Sequence, residues 1–249
     1  WADSGHAPYG EKSDVFVRQR SLAIAQHLIE RHHIKALVVA CNTATAAAIH
    51  ELRTQYPQLP LIGVEPALKP AIALSRTQRI GVIGTRGTLG SDKFHRLLSS
   101  LEGQAEFIVQ PCNGLALAIE ESTHISASAS SEKITALLRG YTGQMGAFGH
   151  GPGQIDTLVL GCTHYVFAQN ELQTLLGTDV QLVSTGEPVA RQTRRLLEAA
   201  AQLRSGPAPI AASARMQLLT NGELSGLQAA AQRWLHLPHA ACHKADPHV

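Results

Sequence analysis

Lys35-Ala-Leu-Val-Val-Ala-Cys-Asn-Thr-Ala-Thr-Ala-Ala-Ala-Ile-His50 changes character at a single residue. Ala36 to Ala40 is a short apolar run, which reads as a buried strand. Beyond Cys41 an Ala-rich helix opens at Asn42-Thr43 and runs through Glu51-Leu-Arg53. Asn and Thr suit a helix start because a side-chain oxygen can take an orphan N–H. Cys41 therefore stands at a strand C-terminus and a helix N-terminus at once. In open α/β sheets ligands bind outside the carboxyl ends of strands. A helix N-terminus also stabilises a thiolate and lowers the pKa of a thiol. A free Cys is equally often a small core hydrophobe, so this one cysteine leaves the reactive and the packing readings both open.

A second stretch, Asp156-Thr-Leu-Val-Leu-Gly-Cys-Thr-His-Tyr165, repeats the arrangement. Leu158 to Leu160 is the strand, Gly161 the bend and Cys162 the strand end, with a helix following over 166–176. The two units align cysteine on cysteine: Leu37-Val-Val-Ala-Cys-Asn-Thr43 against Leu158-Val-Leu-Gly-Cys-Thr-His164. Two thiols in equivalent places in two similar halves suggest a site between the halves, with one thiol on each side.

Around these units the chain is ordinary for a globular protein. Of its 249 residues 44% are hydrophobic but only 4% aromatic, so the core rests on Ala, Val, Leu and Ile. A net charge of +2 makes no case for nucleic acid. No apolar run has membrane-spanning length and no signal peptide is visible. Cys41, Cys112, Cys162 and Cys242 are widely spread with no C-x-x-C pair, which fits reduced thiols in a cytoplasm rather than a disulfide framework or zinc ribbon. His239, Cys242, His243 and His248 match no zinc spacing, so no metal site is expected.

The patterning predicts helices over 15–32, 43–53, 65–73, 90–101, 115–121, 132–138, 166–176, 187–202 and 224–234. Strands are expected over 36–40, 61–64, 79–85, 106–110, 157–160, 180–183 and 216–219. Ser122–Ser131 and the Gly-rich 140–153 read as loops, Gly206–Pro209 as a linker, and the end from His239 as a disordered tail. Strands alternating with helices give parallel βαβ units, and apolar strands fit a sheet covered on both faces. The expected architecture is α/β: two pseudo-symmetric, doubly wound parallel-sheet lobes with the active site in the cleft between them. The first lobe would take residues 1–65 and 185–249 with Cys41, and the second 66–184 with Cys162.

Several motifs, in order over nearly the whole chain, resemble the glutamate racemases of the aspartate/glutamate racemase superfamily. They are Ala2-Asp3 with Pro8-Tyr9-Gly10, Ala40-Cys41-Asn42-Thr43-Ala44, Ile83-Gly84-Thr85 with Gly87-Thr88, and Gly161-Cys162-Thr163-His164-Tyr165. The resemblance implies cofactor-independent interconversion of L- and D-glutamate, supplying D-glutamate for bacterial peptidoglycan. Removing the α-proton on one face and returning one on the other asks for two acid/base groups, one thiolate and one thiol. By resemblance Cys41 handles the α-proton of the D isomer and Cys162 that of the L isomer. His164 would assist proton traffic at Cys162, and Glu120 matches a family position tied to the catalytic thiols. Tyr9, Gly10, Asn42, Thr43, Thr85, Thr88, Thr163 and His164 would bind substrate, while Cys112 packs. No lysine has a convincing pyridoxal-phosphate context and there is no G-x-G-x-x-G loop, so no cofactor is expected. The implied partner is glutamate itself, with no membrane and with room for a homodimer.

The sequence departs from the family in places. Family members begin with a strand bearing Asp-Ser-Gly, whose Asp and Ser help the first Cys. Here Asp3-Ser4-Gly5 is followed by Pro8-Tyr9-Gly10 and so matches the next segment. The expectation is that residues 1–249 alone express poorly and racemise slowly. Val166 replaces a frequent Pro, and Ser184-Thr185 replaces Asp-Ser or Asp-Thr. Alternative readings are an aspartate racemase, against which His164 argues, and a catalytically silent protein with the racemase fold.

Overall fold

The computed structural model describes residues 1–123, 127–206 and 216–245. Arg79-Ile-Gly-Val-Ile-Gly84 forms β3, a strand apolar along its length because both of its faces are covered. It pairs in parallel with β4 (Glu106–Pro111) on one side and β5 (Thr157–Leu160) on the other. β5 in turn pairs with β6 (Gln181–Val183), giving the order β4-β3-β5-β6. Alternate residues face opposite ways. Ile80, Val82 and Val159 pack with Leu68, Ala71, Leu89 and Phe94 from helices α3 (Leu68–Leu74), α4 (Arg86–Leu89) and α5 (Asp92–Ser99). Ile83, Leu158 and Leu160 pack with Leu115, Ile119, Leu138 and Leu172 from α6 (Leu115–Glu121), α7 (Ala127–Gly143) and α8 (Gln169–Leu176). The sheet is thus doubly wound. Its strand order reverses between β3 and β5, and at such a switch point ligands bind beyond the strand ends.

The other parallel strands come from both ends of the chain. β1 (Leu37–Val39) pairs with β2 (Leu61–Gly63) through the crossover helix α2 (Asn42–Gln55), under α1 (Asp14–His32). Ala25, Ala48, Ile49, Leu52 and Leu61 form the core there. β7 (Leu218–Thr220) pairs with β8 (Cys242–Lys244), and α10 (Leu224–Leu235) packs over them. Ala2 joins β7 as a parallel bridge to Thr220. α9 (Gly186–Ala199) packs against β2.

Some local expectations change. The helix expected over 90–101 is α5, Asp92–Ser99, and the separate short helix α4 precedes it, because Thr85 and Ser91 each cap a start, accepting from the N–H of Thr88 and of Phe94. The helix expected from Glu65-Pro66 begins only at Leu68. α7 runs through much of what read as a Ser-rich loop and into the Gly-rich stretch. Ile134 and Leu138 bury against α6 and the sheet, and that packing overrides weak local propensity. Part of the end that read as a disordered tail, Cys242–Lys244, is instead a strand, with Cys242 buried under α10. Residues 207–209 of the expected linker, residues 124–126 of the Ser-rich stretch and His248 lie outside the described residues. Among the described residues no helix is long and apolar enough to cross a membrane, and no group of three His, Cys, Asp or Glu could hold a metal ion.

Candidate active site

Cys41 is the N-cap of α2, in extended conformation at the end of β1, and its Sγ accepts from the Ala44 N–H at 3.5 Å. Two hydrogen bonds of Thr45 fix this turn's position. Thr45 Oγ1 donates to the Val39 carbonyl at 3.1 Å and accepts from the Val64 N–H at 3.0 Å, which ties the ends of β1 and β2 together. The helix start was expected to lower the Cys41 pKa, and the net shift is upward. The residue keeps some accessible surface, but its sulfur is closely surrounded, and burial pushes the thiol up. The nearby Cys162 charge pushes the same way, and these outweigh the N–H groups of Ala44 and Thr43.

Thr43, in the first turn of α2, meets the second sheet. Its Oγ1 lies 3.0 Å from both Thr85 Oγ1 and Thr88 Oγ1, which are themselves 3.0 Å apart. Three buried hydroxyls, one from α2 and two from the β3–α4 turn, close a triangle. Gly10 presses on it: a Cβ there would overlap the Thr85 side chain. A Cβ at Gly87 would lie 3.1 Å from both the Gly10 carbonyl and Thr43 Cγ2. Only glycines let these three segments approach so closely. Asn42 is 4% exposed, and neither end of its side-chain amide meets a partner among the described residues. Each such unmet group costs about 1–3 kcal/mol. It is a ready-made contact for a ligand with both donors and acceptors.

Cys162 ends β5 at the switch point and is 8% exposed. The bend before it must be glycine, since a Cβ at Gly161 would stand 2.7 Å from the Ile83 carbonyl. No α-helix starts here: a 3-10 turn, Tyr165–Ala168, separates Cys162 from α8. Its partner is a side chain instead. His164 Nδ1 lies 3.9 Å from Cys162 Sγ, and His164 Nε2 lies 2.6 Å from Glu120 Oε2 on α6. Burial alone would lower the His164 pKa, but hydrogen bonds and charge from Cys162 and Glu120 push it up to about 10. At neutral pH both ring nitrogens therefore donate, one to the sulfur and one to the carboxylate.

The remaining expected residues fall as follows. Thr163 is half-buried in the turn after Cys162. The backbone of Tyr9-Gly10 borders the hydroxyl triangle, but the Tyr9 hydroxyl is turned away and donates to Asp3. Cys112 is buried in the core, which pushes its thiol up to about 12, and its carbonyl accepts from the Tyr165 hydroxyl at 3.2 Å. Sequence reasoning assigned nothing to Arg20, Asn221 or Glu11. Arg20 and Asn221 meet at Asp3, and Glu11 accepts from the Gly114 N–H at 2.7 Å, linking the first turn to α6. These contacts join residues up to 218 positions apart, so no local pattern announces them. Behind the His164–Glu120 pair lies a cavity of about 660 Å³, walled also by Phe167 and by Leu227 and Trp234 of α10; neither Cys41 nor Cys162 lines it.

Comparison with known proteins places the chain among relatives. The profile of the Asp/Glu/Hydantoin racemase family matches residues 3–193. A glutamate racemase of Ectopseudomonas mendocina is 50% identical over 196 residues, covering 79% of this chain and 70% of the relative. One from Stutzerimonas stutzeri is 47% identical over 207 residues, covering 83% and 74%. Among solved structures, a glutamate racemase isoform of Bacillus anthracis superposes with a TM-score of 0.80 at 29% identity, covering 99% of this chain and 86% of that one. The Escherichia coli glutamate racemase, solved with L-glutamate and the activator UDP-MurNAc-ala, gives 0.77 at 30% identity, covering 97% and 85%. The chain belongs to the Asp/Glu/hydantoin racemase family, and the relatives it matches there are isomerases, the glutamate racemases.

Proposed function

We propose that this chain interconverts L- and D-glutamate by two-base proton transfer between Cys41 and Cys162. The thiolate of one cysteine takes the α-proton, and the electron pair of the broken C–H bond stays on the α-carbon. The thiol of the other then delivers a proton to the opposite face, and the two cysteines end in exchanged states. Cys41 serves the D isomer's proton and Cys162 the L isomer's. The observation that carries this reading is that each cysteine stands beyond a strand's carboxyl end on a separate parallel sheet, and that the Thr43, Thr85 and Thr88 hydroxyls join those two sheet ends.

The other residues have parts that follow from their chemistry. His164, held by Glu120, offers Cys162 a charged donor and can relay protons to it. The Asn42 amide, the Thr43, Thr85, Thr88 and Thr163 hydroxyls and the Tyr9-Gly10 backbone supply neutral donors for two carboxylates. Such preorganised donors stabilise the charge that builds beside the α-carbon. We assign one lobe to residues 1–65 and 185–249 and the other to 66–184, with the reaction at their junction. In a bacterial cytoplasm the product D-glutamate would feed peptidoglycan synthesis.

The test is to incubate each isomer of glutamate and of aspartate in D2O, following optical rotation and α-deuterium. Loss of rotation with deuterium gained at the α-carbon of glutamate is expected, and activity should survive dialysis against chelator and hydroxylamine. Preference for aspartate would reassign the substrate. No exchange with any isomer would leave a silent protein on this fold.

A further inference from the structure

The Asp3 carboxylate is a hub for four side chains. Its Oδ1 accepts from Arg20 Nη2 at 2.5 Å and from the Asn221 amide, and His6 Nδ1 lies 3.1 Å away. Its Oδ2 accepts from the Tyr9 hydroxyl and from Arg20 Nε at 3.2 Å. Arg20 comes from α1, Asn221 from the turn after β7, and His6 and Tyr9 from the segment leading to the site. Next to it, Gly5 N–H donates to Asn221 Oδ1 at 3.1 Å, and Ser4 Oγ lies 2.5 Å from Thr220 Oγ1. Residues 3–5 are therefore fastened to the far end of the chain. Five residues on, Gly10 is wedged against Thr85 with no room for a Cβ.

We infer that Asp3 is a positioning residue: paired with Arg20, it holds the Tyr9 hydroxyl and so sets the Tyr9-Gly10 backbone against the Thr43–Thr85–Thr88 hydroxyls that receive the substrate. This rests on the glutamate reading above and adds a residue set to it. Tyr9 is the only link in the hub that adjoins Gly10. A displaced Tyr9 lets the backbone of Gly10 move away from Thr85, which weakens carboxylate binding without touching either sulfur. Asp3 and Tyr9 thus act in series, and losing either should cost the same affinity.

The experiment compares Tyr9→Phe, which keeps the Asp3–Arg20 pair, with Asp3→Asn, Arg20→Lys and the Asp3→Asn/Tyr9→Phe double variant. KM for both glutamate isomers should rise about tenfold, equivalent to ~1.4 kcal/mol, with kcat within about twofold of the parent. The double variant should be no worse than either single one, and Arg20→Lys should show a smaller rise. Binding of D-glutamate by titration calorimetry is measured alongside, so affinity is read even without turnover. An unchanged KM and affinity in Tyr9→Phe overturns the inference, as does a double variant whose losses multiply. A fall in Tm with KM unmoved assigns the hub to stability alone and also overturns it. Unchanged affinity in a parent that turns glutamate over sinks the positioning role only. A parent that neither binds nor turns over glutamate sinks both readings.

Discussion

The Cys41 and Cys162 units look like copies in sequence and differ in how they hold a sulfur. Cys41 caps a true α-helix, and its donors are uncharged: the N–H groups of Ala44 and Thr43 and the Thr43 hydroxyl. Cys162 has no helix start beneath it and faces an imidazolium anchored by a carboxylate. Burial raises the Cys41 thiol, while His164 stays charged up to about pH 10. The two strands also begin differently. Asp156 at the base of β5 is buried and accepts from the Ser75 hydroxyl, the Arg76 and Thr77 N–H groups and the Thr157 hydroxyl. Lys35, its counterpart before β1, makes one exposed bond to the Gln202 carbonyl. Equal placement at strand ends is therefore compatible with unequal electrostatics, and a reaction whose two bases alternate between thiol and thiolate can use that inequality.

The severest test of the pairing removes a sulfur. Cys41→Ala and Cys162→Ala should each lower racemisation by at least about 10³-fold, within the range for a positioned acid or base. α-Deuterium exchange should persist from one isomer at most. Full activity in either variant breaks the two-base scheme. Next comes the feature that separates the two units. Glu120→Gln and His164→Asn should each reduce kcat/KM about 10²-fold, equally in both directions, since the equilibrium constant between mirror images is one. The parent rate should fall as pH rises through about 10, where His164 loses its proton. Because the folded pKa lies above the ordinary 6.5, the stability it contributes is complete below that value and lost toward pH 10. In Glu120→Gln the fall should move to lower pH. An unmoved profile would show that the pair does not govern Cys162.

A third comparison concerns the strand bases. Asp156→Ala should cost about 2–3 kcal/mol in urea unfolding, because several buried donors lose their acceptor, whereas Lys35→Ala should cost under about 0.5 kcal/mol as an exposed surface change. Burial pushes the Asp156 carboxyl up, but the bonds from Ser75, Thr77, Arg76 and Thr157 hold it below the ordinary 3.8. Its contribution is thus present above that pH and lost as pH falls below it, a loss that Asp156→Asn should not show. A change confined to binding is expected at Asn42. Asn42→Ala should raise KM about tenfold, ~1.4 kcal/mol, yet leave Tm level or higher, since it removes a buried amide without a protein partner among the described residues. A sharp drop in Tm would mean the amide serves the fold.

Both cysteine units were legible because each compresses its cue into ten residues: an apolar run, a bend, a thiol and a polar turn. Glu120 and Thr85 needed the family likeness, since nothing local ties either one to a cysteine far along the chain. The upward shift at Cys41 was not legible. Desolvation depends on what packs round the sulfur, and sequence displays only the helix start that opposes it. Nor were α7 and β8 legible. Serines and glycines disguise a helix that Ile134 and Leu138 anchor, and Cys242-His-Lys244 becomes a strand only when Leu218–Thr220 lies beside it.

The bridge from Ala2 to Thr220 has a consequence for biosynthesis. The four-stranded sheet uses only residues 79–183, one uninterrupted stretch that can assemble while the ribosome is still adding the rest. The Asp3 hub cannot, because Asn221 must first leave the exit tunnel. The half of the site carrying Cys162 is then in place early, and the Cys41 half is completed onto it late. A nascent chain stalled before residue 220 would present a folded β5 and its thiol beside an unfastened opening segment.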